Sequence, residues 1–207
     1  MQLFGTQNQI GHFAFNRHTL TKAKDMRKLA LALAVTGSLA LSTIATPAMA
    51  WVETPEAVAA ATDAAANARA DMVEAFGVDH LRPDQYLWDD EAGDGDPRVV
   101  VSLSDQLAYL YRGDRLAAVT TISSGMPGKD TPTGYFPILG KEVLHRSAKY
   151  DNAPMPHMQQ LDNYGIALHA GMIPGHPASH GCVRLPAKFA AKLFTVTKVG
   201  TPVLIGS

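Results

Sequence analysis

Beyond Pro97 the chain is written in short apolar runs broken by turn residues, and that pattern confines its second half to a mostly β fold. Val99–Val101 is followed by Leu107–Tyr111, and Arg112-Gly113-Asp114 reads as a hairpin turn. Leu116–Ser123, rich in Val, Thr and Ile, predicts a third strand, and Gly134–Leu139 a fourth. Pro137 within that fourth run calls for an edge or bulged position, because proline has no ladder donor. Ile166–Leu168 predicts a short strand. Pro186 suits the first turn of a helix over about 187–197, and Pro202–Ile205 a closing strand. There is no internal repeat and no coiled-coil heptad.

Two different segments precede this β-patterned region. Residues 55–76 are Ala-rich, with Pro55 in the first turn and Gly77 as a stop, and predict one helix. Its large apolar residues are few: Val58, Met72, Val73 and Phe76. Whether it lies on the β domain or acts as a spacer is left open by the pattern. Asp89–Pro97 is acidic and Gly-containing and reads as a solvated linker. The terminal Glu of a calcium-binding EF-hand loop is missing from it.

The first fifty residues have the composition of an export signal. Lys22, Lys24, Arg27 and Lys28 form a basic start, and Leu29–Ile44 is largely apolar but broken by Gly37 and Ser38. A membrane-spanning helix needs about 20 apolar residues, so cleavage at Ala48-Met49-Ala50 is expected, with the mature chain beginning near Trp51. The start could be Met1 or Met26; from Met26 the signal has ordinary length. The expected organisation is an extension and cleavable signal over 1–50, a helix and acidic linker over 51–97, and a catalytic domain over 98–207. The roughly 155 mature residues suffice for one domain. Beyond residue 50 the chain keeps 13 of its 18 Lys/Arg and 18 of its 19 Asp/Glu, a net charge of −5. That balance excludes a basic nucleic-acid surface. No second hydrophobic span follows the signal, so an exported, periplasmic or cell-envelope protein is expected.

Cys182 is the single cysteine of the 207 residues. Exported proteins usually pair their cysteines, and a lone exposed thiol outside the cytoplasm is open to oxidation. Chemistry is a reason to keep one. It sits in Ser179-His180-Gly181-Cys182-Val183-Arg184, with His169 thirteen positions upstream. A thiol becomes a strong nucleophile when a neighbouring base takes its proton, and histidine is the usual base. His169, His176, His180 and Cys182 could instead be four zinc ligands. His176 and His180 do have three residues between them, but no paired-Cys segment accompanies them and His180 and Cys182 are only two positions apart, so no metal and no cofactor is expected. Tyr109, Tyr111 and Tyr135 read as core or cross-strand aromatics, while Trp51 and Trp88 have no assignment.

The tract from Tyr164 to Leu185, containing Leu168-His169-Ala170-Gly171 and Ser-His-Gly-Cys182-Val-Arg184, resembles the active-site tract of the YkuD-type L,D-transpeptidases. Ser123-Ser124-Gly125 with Thr131-Pro132-Thr133-Gly134 resembles that family's S-x-G and T-P-T-G region. Asn152–Pro156 resembles the stretch before its histidine strand. The resemblance covers about residues 98–205. It implies a β-sandwich or barrel catalytic domain with one or two small helices, here preceded by the 55–76 helix.

It also implies cysteine acyl transfer on peptidoglycan stem peptides, joining the third residues of two stems (a 3→3 cross-link). Cys182 would be the nucleophile and His169 the proton donor and acceptor, with the Ala170 carbonyl orienting the imidazole. The Gly181 and Cys182 backbone N–H groups would form the oxyanion hole. Ser179 and His180 would support the site, and Arg184 would brace the loop or attract a substrate carboxylate. The thirteen-residue interval is a few residues shorter than is common in the family, so His180 stays open as an alternative base. His176 is expected on the loop surface. Hydrolysis of the same class of bond, as a carboxypeptidase or endopeptidase, and a non-catalytic wall-binding module are the alternative functions.

Overall fold

The computed structural model describes residues 52–207. The expected signal, its cleavage motif and Trp51 lie outside the described residues. The elements run, in order, α1 (Pro55–Phe76), β1 (Tyr86–Trp88), β2 (Pro97–Ser102), β3 (Leu107–Arg112), β4 (Arg115–Thr121), β5 (Gly134–Pro137), β6 (Gly140–Arg146), β7 (Pro154–Gln160), β8 (Ala167–Ala170), β9 (Val183–Leu185), α2 (Ala187–Val196) and β10 (Pro202–Gly206). They make a sandwich of two sheets, the mostly β class expected. The larger sheet has the order β1-β4-β3-β2-β10-β5 and the smaller β6-β7-β8-β9. Pairing is antiparallel except for β10 with β2 and β8 with β9. Among the described residues no helix is long and apolar enough to cross a membrane.

The unbroken apolar runs of β2 and β3 have a simple cause: their sheet is buried on both faces. Alternate side chains point to opposite faces of a strand. Val99, Val101, Ala108 and Leu110 enter the core between the two sheets, where Phe189 and Leu193 of α2 join them. Val100, Leu107, Tyr109 and Tyr111 face the other way, under α1. Tyr109 and Tyr111 are thus core aromatics, and Tyr135 is half-buried beside Val52 on β5. A register shift between Leu110 and Tyr111 places both Ala117 and Ala118 of β4 in the first core.

Helix α1 is a layer of this domain and not a spacer. Thr54 caps its start, accepting the Ala57 N–H at 3.3 Å, and Gly77 ends it at φ 68°. Ala61, Ala65, Ala68 and Met72 repeat at helical spacing and are buried. The small alanines let the helix lie close to β10, where a Cβ on Gly206 would fall 2.4 Å from the Ala61 carbonyl oxygen. The Tyr111 hydroxyl donates to Asp71 Oδ2 at 2.6 Å across the same contact.

The acidic stretch 89–96, expected as a free linker, connects β1 to β2 while held against the sheet. Arg115 pairs with Asp89 at 2.6 Å, and Gly95 lies so close to Arg112 and Gly113 that a Cβ would meet the Gly113 nitrogen at 2.5 Å. The short strand β1 just before it was not expected. Its Tyr86 and Trp88 rings stand edge-on to Phe189 at 5.7 and 5.6 Å, which gives Trp88 its place. Burying a ring as completely as Phe189 contributes roughly 1.5–3 kcal/mol. Pro137 does sit on an edge strand, β5.

Strands β6 and β7 were also not foreseen. β6 is a polar, largely exposed edge, and β7 carries two prolines and no β-branched residue. The two strands form the outer half of the smaller sheet, and the loop that joins them lines the same cavity as the cysteine.

Candidate active site

The parallel pair β8 and β9 brings the two halves of the motif together. Its register sets Leu168 beside Val183 and His169 beside Arg184. Leu168, Ala170, Val183 and Leu185 enter the core, so His169, Arg184 and the preceding Cys182 belong to the opposite face. There they line one cavity of about 570 Å³ with Tyr150, Met155 and Met172. Gly171 is glycine for a local reason: a Cβ there would strike the Arg184 side chain at 2.9 Å.

His169 is buried, and its Nδ1 lies 2.8 Å from the Ala170 carbonyl oxygen. A carbonyl only accepts, so Nδ1 carries the proton and Nε2 is left with a free lone pair. Burial lowers the His169 pKa below the usual histidine value, and the Arg184 and His145 charges push the same way against the Ala170 hydrogen bond. The Cys182 thiol donates to the Gly165 carbonyl at 3.3 Å. Burial raises its pKa; the Ala167 backbone amide opposes this, Asp162 adds to it, and Arg184 and Lys149 oppose it. Both shifts favour the uncharged forms of the resting pair, a thiol and a neutral imidazole.

The turn before Cys182 is built from side-chain hydrogen bonds. Ser179 Oγ donates to the Cys182 carbonyl at 2.5 Å and accepts the Gly181 N–H at 3.1 Å. Gly181 has φ 114°, and a Cβ on it would meet Ile166 Cδ1 at 2.7 Å. Thr131 Oγ1 donates to the Gly181 carbonyl at 2.8 Å and accepts the Gly125 N–H at 2.9 Å. Ser123 exchanges two backbone bonds with Arg184, and the Ser124 carbonyl accepts from Ala178 and Ser179. The S-x-G and T-P-T-G segments are thus the scaffold of the cysteine turn.

The Gly181 N–H, expected as an oxyanion donor, is hydrogen-bonded to Ser179 Oγ at 3.1 Å. The Cys182 N–H makes no hydrogen bond among the described residues. His180 is exposed and stacks on Tyr150 with ring centroids 4.5 Å apart. His176 is an exposed loop residue whose Nδ1 lies 3.1 Å from the Pro177 carbonyl oxygen. The four side chains of the zinc alternative do not converge: among the described residues no three His, Cys, Asp or Glu are placed to share a cation.

Several residues of the site escaped the sequence reading. Tyr150 comes from the β6–β7 loop, which carries no motif, and Met172 from within the Tyr164–Leu185 tract, where no role was assigned to it. Asp162 is buried, and its Oδ1 accepts the N–H groups of Tyr164, Gly165 and Ile166 at 2.9, 2.9 and 2.8 Å. Its signal was present as an Asp followed closely by glycine, a common turn pattern.

The comparisons with known proteins bear on the fold and the family. No curated protein sequence matches the chain significantly. A crystal structure of an L,D-transpeptidase from Stackebrandtia nassauensis is 30% identical over 55% of this chain and 56% of that one, with a TM-score of 0.50. An L,D-transpeptidase from Mycobacterium smegmatis is 19% identical over 54% of this chain and 59% of that one, also at 0.50, and shares the fold. The chain therefore spans less than two thirds of the length of either. The sequence model of the YkuD family, described as the L,D-transpeptidase catalytic domain, matches residues 96–205. The chain belongs to the YkuD family of L,D-transpeptidase catalytic domains.

Proposed function

We propose that this protein is an exported cysteine acyltransferase that cross-links peptidoglycan stem peptides through a Cys182 thioester. The observation that carries the reading is the His169–Ala170 hydrogen bond, which leaves Nε2 basic in the cavity that holds the only thiol. The substrate class follows from the family.

In the proposed reaction a donor carbonyl, at the L-centre of a diamino acid, enters beside Cys182. The thiol proton passes to His169 Nε2 as sulfur bonds to carbon. The Cys182 N–H, which has no partner among the described residues, would donate to the charge that develops on oxygen. Collapse breaks the C–N bond, and His169 returns its proton to the departing amine of the terminal D-residue. An acceptor amine then attacks the thioester. Its proton goes to His169 and on to the sulfur, which restores the thiol. Arg184 lies on the same wall and offers a fixed positive charge to a substrate carboxylate. No step calls for a metal or a cofactor.

Incubation with a purified tetrapeptide muropeptide, followed by mass spectrometry, tests this. The expected product is a cross-linked dimer that has lost one terminal D-residue. A tripeptide alone would identify water as the acceptor and a carboxypeptidase. An unchanged tetrapeptide would contradict both.

A further inference from the structure

Between β7 and β8 lies a turn that the reaction above does not use. Asp162 sits at its base, only 4% exposed. One of its oxygens receives three successive backbone N–H groups, from Tyr164, Gly165 and Ile166. The turn closes with the Leu161 N–H on the Ile166 carbonyl at 2.9 Å. Gly165 adopts φ 104°, a conformation that disfavours other residues. The Gly165 carbonyl is then aimed at the sulfur of Cys182. A carboxylate buried this deeply, spent on three amides of one turn, specifies where that carbonyl points.

We propose that Asp162 is a positioning residue for the nucleophile: its buried carboxylate folds the β7–β8 turn so that the Gly165 carbonyl receives the resting Cys182 thiol. This rests on Cys182 being the reacting thiol. The S–H···O=C bond stabilises the protonated form and fixes the sulfur within the cavity. The groups whose interactions shift the sulfur's titration are Asp162 from this turn, the Ala167 amide from β8, Arg184 from β9 and Lys149 from the β6–β7 loop, while His169 of β8 lines the same cavity. Asp162 is the one negative charge among them. When a substrate carbonyl arrives, the thiol exchanges Gly165 for His169 and the turn stays in place.

The test is alkylation of Cys182 by iodoacetamide, in which the thiolate displaces iodide. It is followed by intact mass across pH beside acyl-transfer kinetics. The variants are Asp162→Asn, Asp162→Ala and Gly165→Ala, each checked for folding by circular dichroism. Asn keeps an oxygen for the three amides and removes the charge. It should retain kcat within about threefold, while its alkylation midpoint falls below that of the wild type. Ala leaves three amides without an acceptor. It should lose about tenfold or more in kcat with little change in KM, and should alkylate faster than wild type at neutral pH. Gly165→Ala meets no neighbouring atom and strains only the backbone, so it should reproduce the faster alkylation. A folded Asp162→Ala with wild-type alkylation and kcat overturns the proposal. If Asp162→Ala does not fold, unchanged alkylation profiles in both other variants overturn it. Alkylation needs no peptidoglycan, so it reports on the turn independently of which acyl acceptor the enzyme uses.

Discussion

The Thr131 hydroxyl holds the Gly181 carbonyl at 2.8 Å, tying the T-P-T-G segment to the turn that carries the cysteine. The two residues are fifty positions apart in sequence, and both are buried. Because the same oxygen also accepts the Gly125 N–H, it closes a link from β4 to the nucleophile.

Thr131→Val keeps the shape of the side chain and removes both hydrogen bonds. Leaving a buried carbonyl and amide unpaired costs about 1–3 kcal/mol each. The variant should melt several degrees below wild type and turn over more slowly, with KM less affected than kcat. Calorimetry and steady-state kinetics check this; an unchanged kcat would mean that the link is structural only.

His169→Ala should lower kcat by about 10²–10⁴-fold, the usual cost of losing a general base. His176→Ala should change it little, because that ring lies exposed on the loop. His180→Ala removes the stack on Tyr150 and should act mainly through KM. If His180→Ala were inactive and His169→Ala nearly normal, the base would be His180.

The pH profile follows from the burial of the pair. With its pKa lowered, His169 stays uncharged to more acidic pH than a free histidine. The acid limb of kcat/KM should therefore fall with a midpoint below about 6.5. The raised thiol pKa places the alkylation midpoint of the free enzyme above about 8.5. An alkylation midpoint near neutrality would show that the resting pair is a thiolate and an imidazolium.

Gly206→Ala should destabilise the protein by about 1–3 kcal/mol, because the new Cβ would run into the backbone of α1 at Ala61. Chemical denaturation of the purified variant measures this. No loss would mean that α1 moves away freely and is not a fixed layer of the domain.

The β pattern after Pro97 and the Pro55–Phe76 helix were legible because propensity and turn chemistry agree there with the final fold. β6 and β7 were not, since an exposed polar edge and a strand with Pro154 and Pro156 carry no period-two apolar signal. The resting place of α1 was hidden because its buried face, Met72 apart, is made of alanines, which a hydrophobic stripe does not mark. At the site, the Cys182 and His169 motifs were plain, but which backbone N–H is open depends on a hydrogen bond. Ser179 takes the Gly181 N–H, and no residue spacing announces that. Tyr150 reaches the site through tertiary structure alone, whereas Asp162 had a local turn signal in the Asp162–Gly165 segment.

The central claim is a covalent intermediate on Cys182, and intact-protein mass spectrometry after exposure to a carbapenem tests it most directly. A strained lactam carbonyl imitates the scissile amide, and the thiol opens it to a thioester. The wild type should gain the mass of one inhibitor and Cys182→Ser none. Equal adducts on both proteins, or no adduct on a folded wild type, would contradict the account.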